Sequence, residues 1–167
     1  LSEEALELLL KVLDLNPEHG EANYLNCLIT LQLGYFKEGW KYNEYRWKVS
    51  PQNKVTWPIK DKPLWAGERA KRVVLWGEQG VGDQIIFLSL VPEVSQMCSR
   101  LSVYVDPRLQ TLCKRAMPEI NFVKDIEELQ NVECEYHLPL GSVPGLIRND
   151  ISDFDRTVRG YFKADPQ

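Results

Sequence analysis

The stretch Gly77-Glu78-Gln79-Gly80-Val81-Gly82-Asp83-Gln84 sets two carboxylates, two amides and three glycines in one short run. Glycine-rich turns between a strand and a helix cradle phosphates on free backbone N–H groups. Gly77 and Gly82 have the glycine spacing of the nucleoside-triphosphatase loop. Asp83-Gln84, however, stands where that loop requires Lys followed by Ser or Thr. An aspartate there repels a phosphate. The dinucleotide fingerprint needs G-x-G-x-x-G, and these glycines run G-x-x-G-x-G. Both phosphate readings fail. What remains is a carboxylate at a helix N-terminus with Glu78 beside it, and Asp83 in that position suits a helix N-cap worth roughly 1 kcal/mol. Gly80 and Gly82 are expected to let the backbone turn sharply ahead of it.

His137 falls at the end of a predicted strand, within reach of the same crevice; a lone histidine is equally at home as a structural residue. Cys27, Cys98, Cys113 and Cys134 form no C-x-x-C pair, and His19 and His137 are the only histidines. A zinc site would need scattered ligands, so no metal and no cofactor is called for. Buried thiols are expected in place of disulfides, which points to a reducing, cytoplasmic setting. Lys and Arg number 20 against 24 Asp and Glu, a net charge of −4. That balance supplies no surplus for neutralising nucleic acid. No apolar run is long enough to span a membrane.

These residues need a scaffold, and the pattern along the chain divides into three. Apolar side chains recur at a helical period over residues 1–15, 21–33 and 36–49. The first run stops at Asn16-Pro17, the second at Gly34, which suits the left-handed C-terminal position, and the third at Ser50-Pro51. Pro17 and Pro51 stand 34 residues apart. The same offset pairs Glu4 with Glu38, Ala5 with Gly39, Leu13 with Trp47 and Asn16 with Ser50. That period with helix–turn–helix content is the tetratricopeptide signature. The small residues Ala5 and Gly39 permit close helix approach. Residues 52–71 form a stiff Pro/Trp-rich linker carrying Pro58, Pro63, Trp57 and Trp65.

From residue 72 the pattern alternates: strands over 72–76, 101–105, 120–123 and 136–138, helices over 84–97 and 107–117, and a short helical turn at 127–130. Pro92 should kink or end the first of these helices. Such alternation predicts a parallel sheet with the first strand in its interior. The expected fold is therefore α followed by α/β: tetratricopeptide-like helices over residues 1–51, the linker over 52–71, and a Rossmann-like parallel-sheet half domain over 72–167.

Pro63-Leu64-Trp65, the Glu78-to-Asp83 string, Gly39-Trp40 with Tyr45-Arg46, and the run from His137 through Leu140, Gly141 and Ser142 to Pro144 carry a resemblance. The chain resembles bacterial tetratricopeptide proteins with a C-terminal region similar to two-domain (GT-B) glycosyltransferases of the heptosyltransferase and O-GlcNAc-transferase kind. The resemblance implies that 72–167 is the N-terminal, acceptor-side half of such a fold. It places Gly82-Asp83 where heptosyltransferases carry their proposed catalytic base. Ligands of open parallel sheets bind beside the first strand–helix turn, so Glu78, Gln79, Gly80, Gly82, Gln84 and His137 are expected to line the ligand site. A base there would take the acceptor proton as the C–O bond forms. The donor-binding half would follow Tyr161–Pro166, so the chain is expected to be a fragment, inactive alone.

Two functions follow from different classes. One is a transferase fragment that uses a nucleotide-sugar donor and a hydroxyl acceptor. The other is a non-catalytic module whose helices bind a protein or peptide, with an α/β ligand-binding domain attached. In either case the helices expose a face that self-association into a homo-oligomer could cover.

Overall fold

The computed structural model describes residues 3–49, 57–156 and 160–165. It divides into two compact units, Leu1–Val55 with Pro144–Arg156, and Thr56–Val143 with Thr157–Gln167.

The first unit opens with α1 (Glu3–Leu15), α2 (Gly20–Gln32), α3 (Phe36–Asn43) and α4 (Arg46–Val49). Leu9 of α1 is buried against Ala22 and Ile29 of α2, with Leu6 and Leu13 packed beside them. His19 caps α2: its Nδ1 accepts a hydrogen bond from the Ala22 N–H at 3.3 Å. At the other end Gly34 has φ +85°. The Tyr35 N–H donates to Thr30 O at 2.8 Å and the Gly34 N–H to Leu31 O at 3.1 Å. That is the two-bond helix stop a left-handed glycine permits, as the sequence led us to expect.

Gly39 is a close-approach position, since a Cβ there would fall 2.5 Å from Leu31 Cδ2. The third predicted helix is broken into α3 and α4. Arg46 Nη1 donates to Asn43 O, and the Lys48 N–H turns to Tyr45 O three residues back at 2.8 Å. The backbone there takes the tighter spacing that ends an α-helix. Pro51, which closes the 34-residue offset, and the first linker residues lie outside the described residues.

The second unit is a four-stranded parallel sheet. In chain order it runs β1 (Ala70–Trp76), α5 (Val81–Leu88), α6 (Val91–Val94), β2 (Cys98–Tyr104), α7 (Gln110–Ala116), β3 (Asn121–Phe122), α8 (Ile126–Asn131) and β4 (Tyr136–Pro139). The strand order is β3-β2-β1-β4. β1 is interior, with Trp76 paired to Tyr104 on one side and to Pro139 on the other. This is why Val73, Val74, Leu75 and Trp76 form an unbroken apolar run: all four are buried.

The helix expected over 84–97 differs from the observed elements. It begins earlier, at Val81, and comes in two pieces that part before Pro92. Proline has no N–H to continue the ladder, and Ser89 Oγ donates to Ile86 O, taking a carbonyl of the last turn. Pro92 therefore sits in the first turn of α6, where a missing N–H costs nothing.

Residues ahead of β1 extend this unit at the β4 edge. Leu64 bridges His137 in parallel, and the Trp65 N–H donates to His137 O at 2.9 Å. Downstream, Tyr161 Oη donates to Ile85 O and Arg115 pairs with Asp165. All four cysteines are free, and burial pushes the Cys27 and Cys113 thiols up to about 11.

After β4 the chain rejoins the helical unit through α9 (Pro144–Ile147) and the 3₁₀ turn Ile151–Arg156. Trp40 Nε1 donates to Arg148 O at 2.7 Å, and the Phe36 and Phe154 rings lie 4.7 Å apart. Among the described residues no helix is long and apolar enough to cross a membrane.

Candidate functional site

In an open parallel sheet the connection from β1 to β2 to β3 proceeds to one side while β4 lies on the other. The loops after β1 and β4 therefore meet at the carboxyl ends of those strands, the place where open parallel sheets bind their ligands. The loop after β1 holds Glu78, Gln79 and Gly80; the loop after β4 begins at Leu140.

Glu78 reaches across. Its Oε1 accepts a hydrogen bond from the Gly141 N–H at 3.1 Å. Gly141 has to be a glycine for this, because a Cβ would sit 2.5 Å from Glu78 Oε1 and 3.0 Å from Gln79 Nε2. A single-loop reading of the sequence missed Gly141 as part of the site. Its signal was the Gly-Ser pair directly after the fourth strand.

Asp83 occupies the first turn of α5, and here the cap expectation is corrected. The N-cap is Gly80, which has no side chain to bond the helix; Asp83 is the third residue of the helix and exposed. Its Oδ2 lies 3.3 Å from where a Cβ on Gly80 would be. No described residue gives Asp83 a hydrogen bond or ion pair. The backbone bends at Gln79 between β1 and α5, without any left-handed glycine. Gly80 has φ −58°, and neither it nor Gly82 is left-handed. What Gly82 supplies is bare space, since nothing lies within 4 Å of the position its Cβ would take. A group approaching the start of α5 meets backbone N–H there, not a side chain.

Gln84 and His137, both expected to line the ligand site, are buried with their polar atoms spent on protein. Gln84 Nε2 donates to Gln79 O at 2.8 Å, and its Oε1 accepts from the Asp106 N–H at 2.9 Å. Gln84 thus ties the first loop to the loop after β2. Asp106 continues that loop. It caps the turn Pro107–Leu109, and two hydrogen bonds from the Arg108 guanidinium, a third from the Arg108 N–H and the Arg108 charge hold the carboxyl at about 2. Sequence reading also passed over this pair; Asp106-Pro107, a capping residue followed by proline, was the available signal.

His137 is buried within β4, paired with Val74 of β1. Trp76 Nε1 is only ever a donor, so at 3.0 Å it fixes Nδ1 of His137 as the acceptor, and Nε2–H then donates to Lys62 O at 3.2 Å. The Trp57 ring stands edge-on to both. Burial holds the imidazole below its ordinary value of 6.5, against the pull of Lys62 O and the Asp61 charge. The unfolded chain accordingly binds a proton near that pH which the folded chain refuses. Stability is full above it and falls as pH drops below it, by at most about 1.4 kcal/mol per pH unit. Urea denaturation at intervals between pH 7 and 5 should show this slope, and His137→Asn should flatten it. An equal slope in the variant would place the proton elsewhere.

Among the described residues no cluster of His, Cys, Asp or Glu could hold a metal ion. The arrangement offers an exposed carboxylate at Asp83, a bare helix start at Gly82, and two loops joined by Glu78 and Gly141.

Over 102 residues the chain is 29% identical to "Protein FlbA" of Caulobacter vibrioides, a stretch that covers 58% of this chain and 17% of that protein. The chain therefore spans well under a fifth of the curated relative it matches. No family model matches it, and no solved structure does.

Proposed function

We propose that the sheet unit is the acceptor-side half of a GT-B-type glycosyltransferase, in which Asp83 takes the proton from an acceptor hydroxyl as a sugar moves from a nucleotide-sugar donor. The observation that carries this reading is the exposed Asp83 carboxylate, without a partner among the described residues, just beyond the carboxyl end of the interior strand. A carboxylate spent on capping or pairing would be a poor base; this one is spent on neither. Gly82 leaves the helix start open beside it, and Glu78 and Gly141 join the two loops. The resemblance to tetratricopeptide-linked bacterial transferases supplies the reaction class. Four free thiols fit a reducing, cytoplasmic setting. In this reading the donor half lies in another part of a longer protein.

The test is calorimetry on the intact protein with a panel of nucleotide sugars, followed by transfer assays with the donor that binds. Binding with turnover is expected. Failure of every donor to bind would move the chain to the second reading, a non-catalytic module of tetratricopeptide type that binds protein or peptide through its helices. One observation favours that reading: a groove of about 390 Å³ between α1 and α2, lined by Leu8, Leu9, Val12, Ala22, Leu25 and Ile29.

A further inference from the structure

The sheet has a cleft at its amino end, the opposite end of β1 from the loop that leads to Asp83. It holds about 840 Å³ and is lined by residues 61–63, 69–72, 99 and 133–136, all within the sheet unit. That volume lies within the roughly 300–1,000 Å³ of small-molecule sites.

The charge of the cleft is uneven once its internal contacts are assigned. Four cations, Lys62, Arg69, Lys71 and Arg72, line it with three carboxylates, Asp61, Glu133 and Glu135. Each carboxylate is engaged. Glu135 accepts from the Lys71 N–H at 2.8 Å and from the Arg72 N–H at 3.2 Å. Glu133 pairs with the Arg72 guanidinium at 2.7 Å, and Asp61 lies 3.8 Å from Lys62 Nζ. Glu68, next to Arg69 in the chain, takes the Ala66 N–H and the Tyr136 hydroxyl. The Arg69 guanidinium and the Lys71 ammonium have no partner among the described residues.

Strand pairing sets a hydroxyl beside them. Ala70 pairs with Cys98 and Arg72 with Arg100, so Lys71 stands level with Ser99 of β2 and the two side chains leave the same face of the sheet. The Ser99 hydroxyl likewise has no partner among the described residues. Arg69, two residues before Lys71, lines the cleft with both.

Two cations and a hydroxyl, all donors, select an anion, and their number selects which. A guanidinium offers a fixed fork that fits two oxygens of a phosphate; an ammonium adds a second full charge, and a hydroxyl donates to a third oxygen. A carboxylate has two oxygens and one charge, so it would leave a donor and a charge unused. A phosphate monoester has three free oxygens and about two charges at neutral pH, and it uses every group. Glu133 and Glu135 line the same cleft and repel a longer polyanion.

We infer that the cleft at the amino end of the sheet binds a phosphate monoester through Arg69, Lys71 and Ser99. The inference uses no residue of the Asp83 loop and stands or falls independently of the transferase reading.

Titration of the isotope-labelled 167-residue chain with glycerol 3-phosphate, followed by amide NMR shifts at constant ionic strength, tests it. Saturable shifts at the amides of Arg69, Lys71 and Ser99 are expected. Arg69→Gln and Lys71→Gln should each weaken binding about tenfold, and Ser99→Ala about threefold. All three residues are exposed, so thermal denaturation should be unchanged. Lys114→Gln, at an exposed lysine outside the cleft, should leave binding as it was. Vesicles carrying phosphatidic acid decide the source of the phosphate. Pelleting of the wild type but not of Lys71→Gln assigns it to a lipid headgroup, and saturable shifts without pelleting assign it to a soluble molecule. Acetate binding as tightly as glycerol 3-phosphate overturns the phosphate class. Neither saturable shifts nor pelleting, or binding that Lys114→Gln weakens as much as Lys71→Gln does, overturns the site and leaves ordinary surface charge.

Discussion

Asp83→Asn in the intact protein is expected to lower sugar transfer by about 100-fold or more while leaving the fold and donor binding in place. Asparagine keeps the shape of the side chain and removes the proton acceptor. The structure makes this a clean comparison, because Gly80 and not Asp83 is the N-cap of α5 and no described residue bonds to Asp83. No cap is lost and no partner is orphaned, so the melting temperature should hardly move. Transfer rates and thermal denaturation on the same preparations separate the two effects. An unchanged rate would end the general-base role. A large fall in melting temperature would mean that Asp83 supports the fold instead.

A second large effect is expected at Gly77, this time on stability. A Cβ there would fall 2.5 Å from Gln84 Cδ and Oε1 and 3.0 Å from Nε2. Gln84 cannot swing aside cheaply. It is buried, and moving it breaks the bonds to Gln79 O and from the Asp106 N–H together. Gly77→Ala should therefore cost about 2–4 kcal/mol, the range for overpacking with loss of buried hydrogen bonds. Gln84→Ala should cost a similar amount, by stranding the Asp106 N–H. The double variant should cost no more than Gln84→Ala alone, since the new methyl then enters space the amide has left. Chemical denaturation of the four proteins closes the cycle. Fully additive losses would show that the two positions do not share this space.

Much of the scaffold was legible because local patterns carry it. Pro17 and Gly34 mark helix ends through fixed φ and freedom at positive φ, which depend on no distant residue. The apolar run at Val73–Trp76 announced an interior parallel strand because only burial on both faces tolerates it. The alternation after it predicted the parallel sheet, and β1 does pair with β2 and β4. Local competition was harder to read. Ser89 Oγ and Arg46 Nη1 each take a backbone carbonyl, and the helices expected over 84–97 and 36–49 break there.

The sequence by itself determined that the loop after β1 is no phosphate loop, because Asp83-Gln84 excludes the triphosphatase fingerprint by residue type and the spacing of Gly77, Gly80 and Gly82 excludes the dinucleotide one. It also determined that Asp83 stands at the start of a helix. Which neighbours share that site was decided only by tertiary structure. Gln84 and His137 carry polar groups that read as ligand contacts. They turned inward because Asp106 and Trp76, 22 and 61 residues away, present a donor to each. Gly141 enters the site because β4 pairs beside β1, which brings its N–H to Glu78 across 63 residues. A buried polar atom must find a partner, and strand order, not spacing along the chain, determines which one it finds.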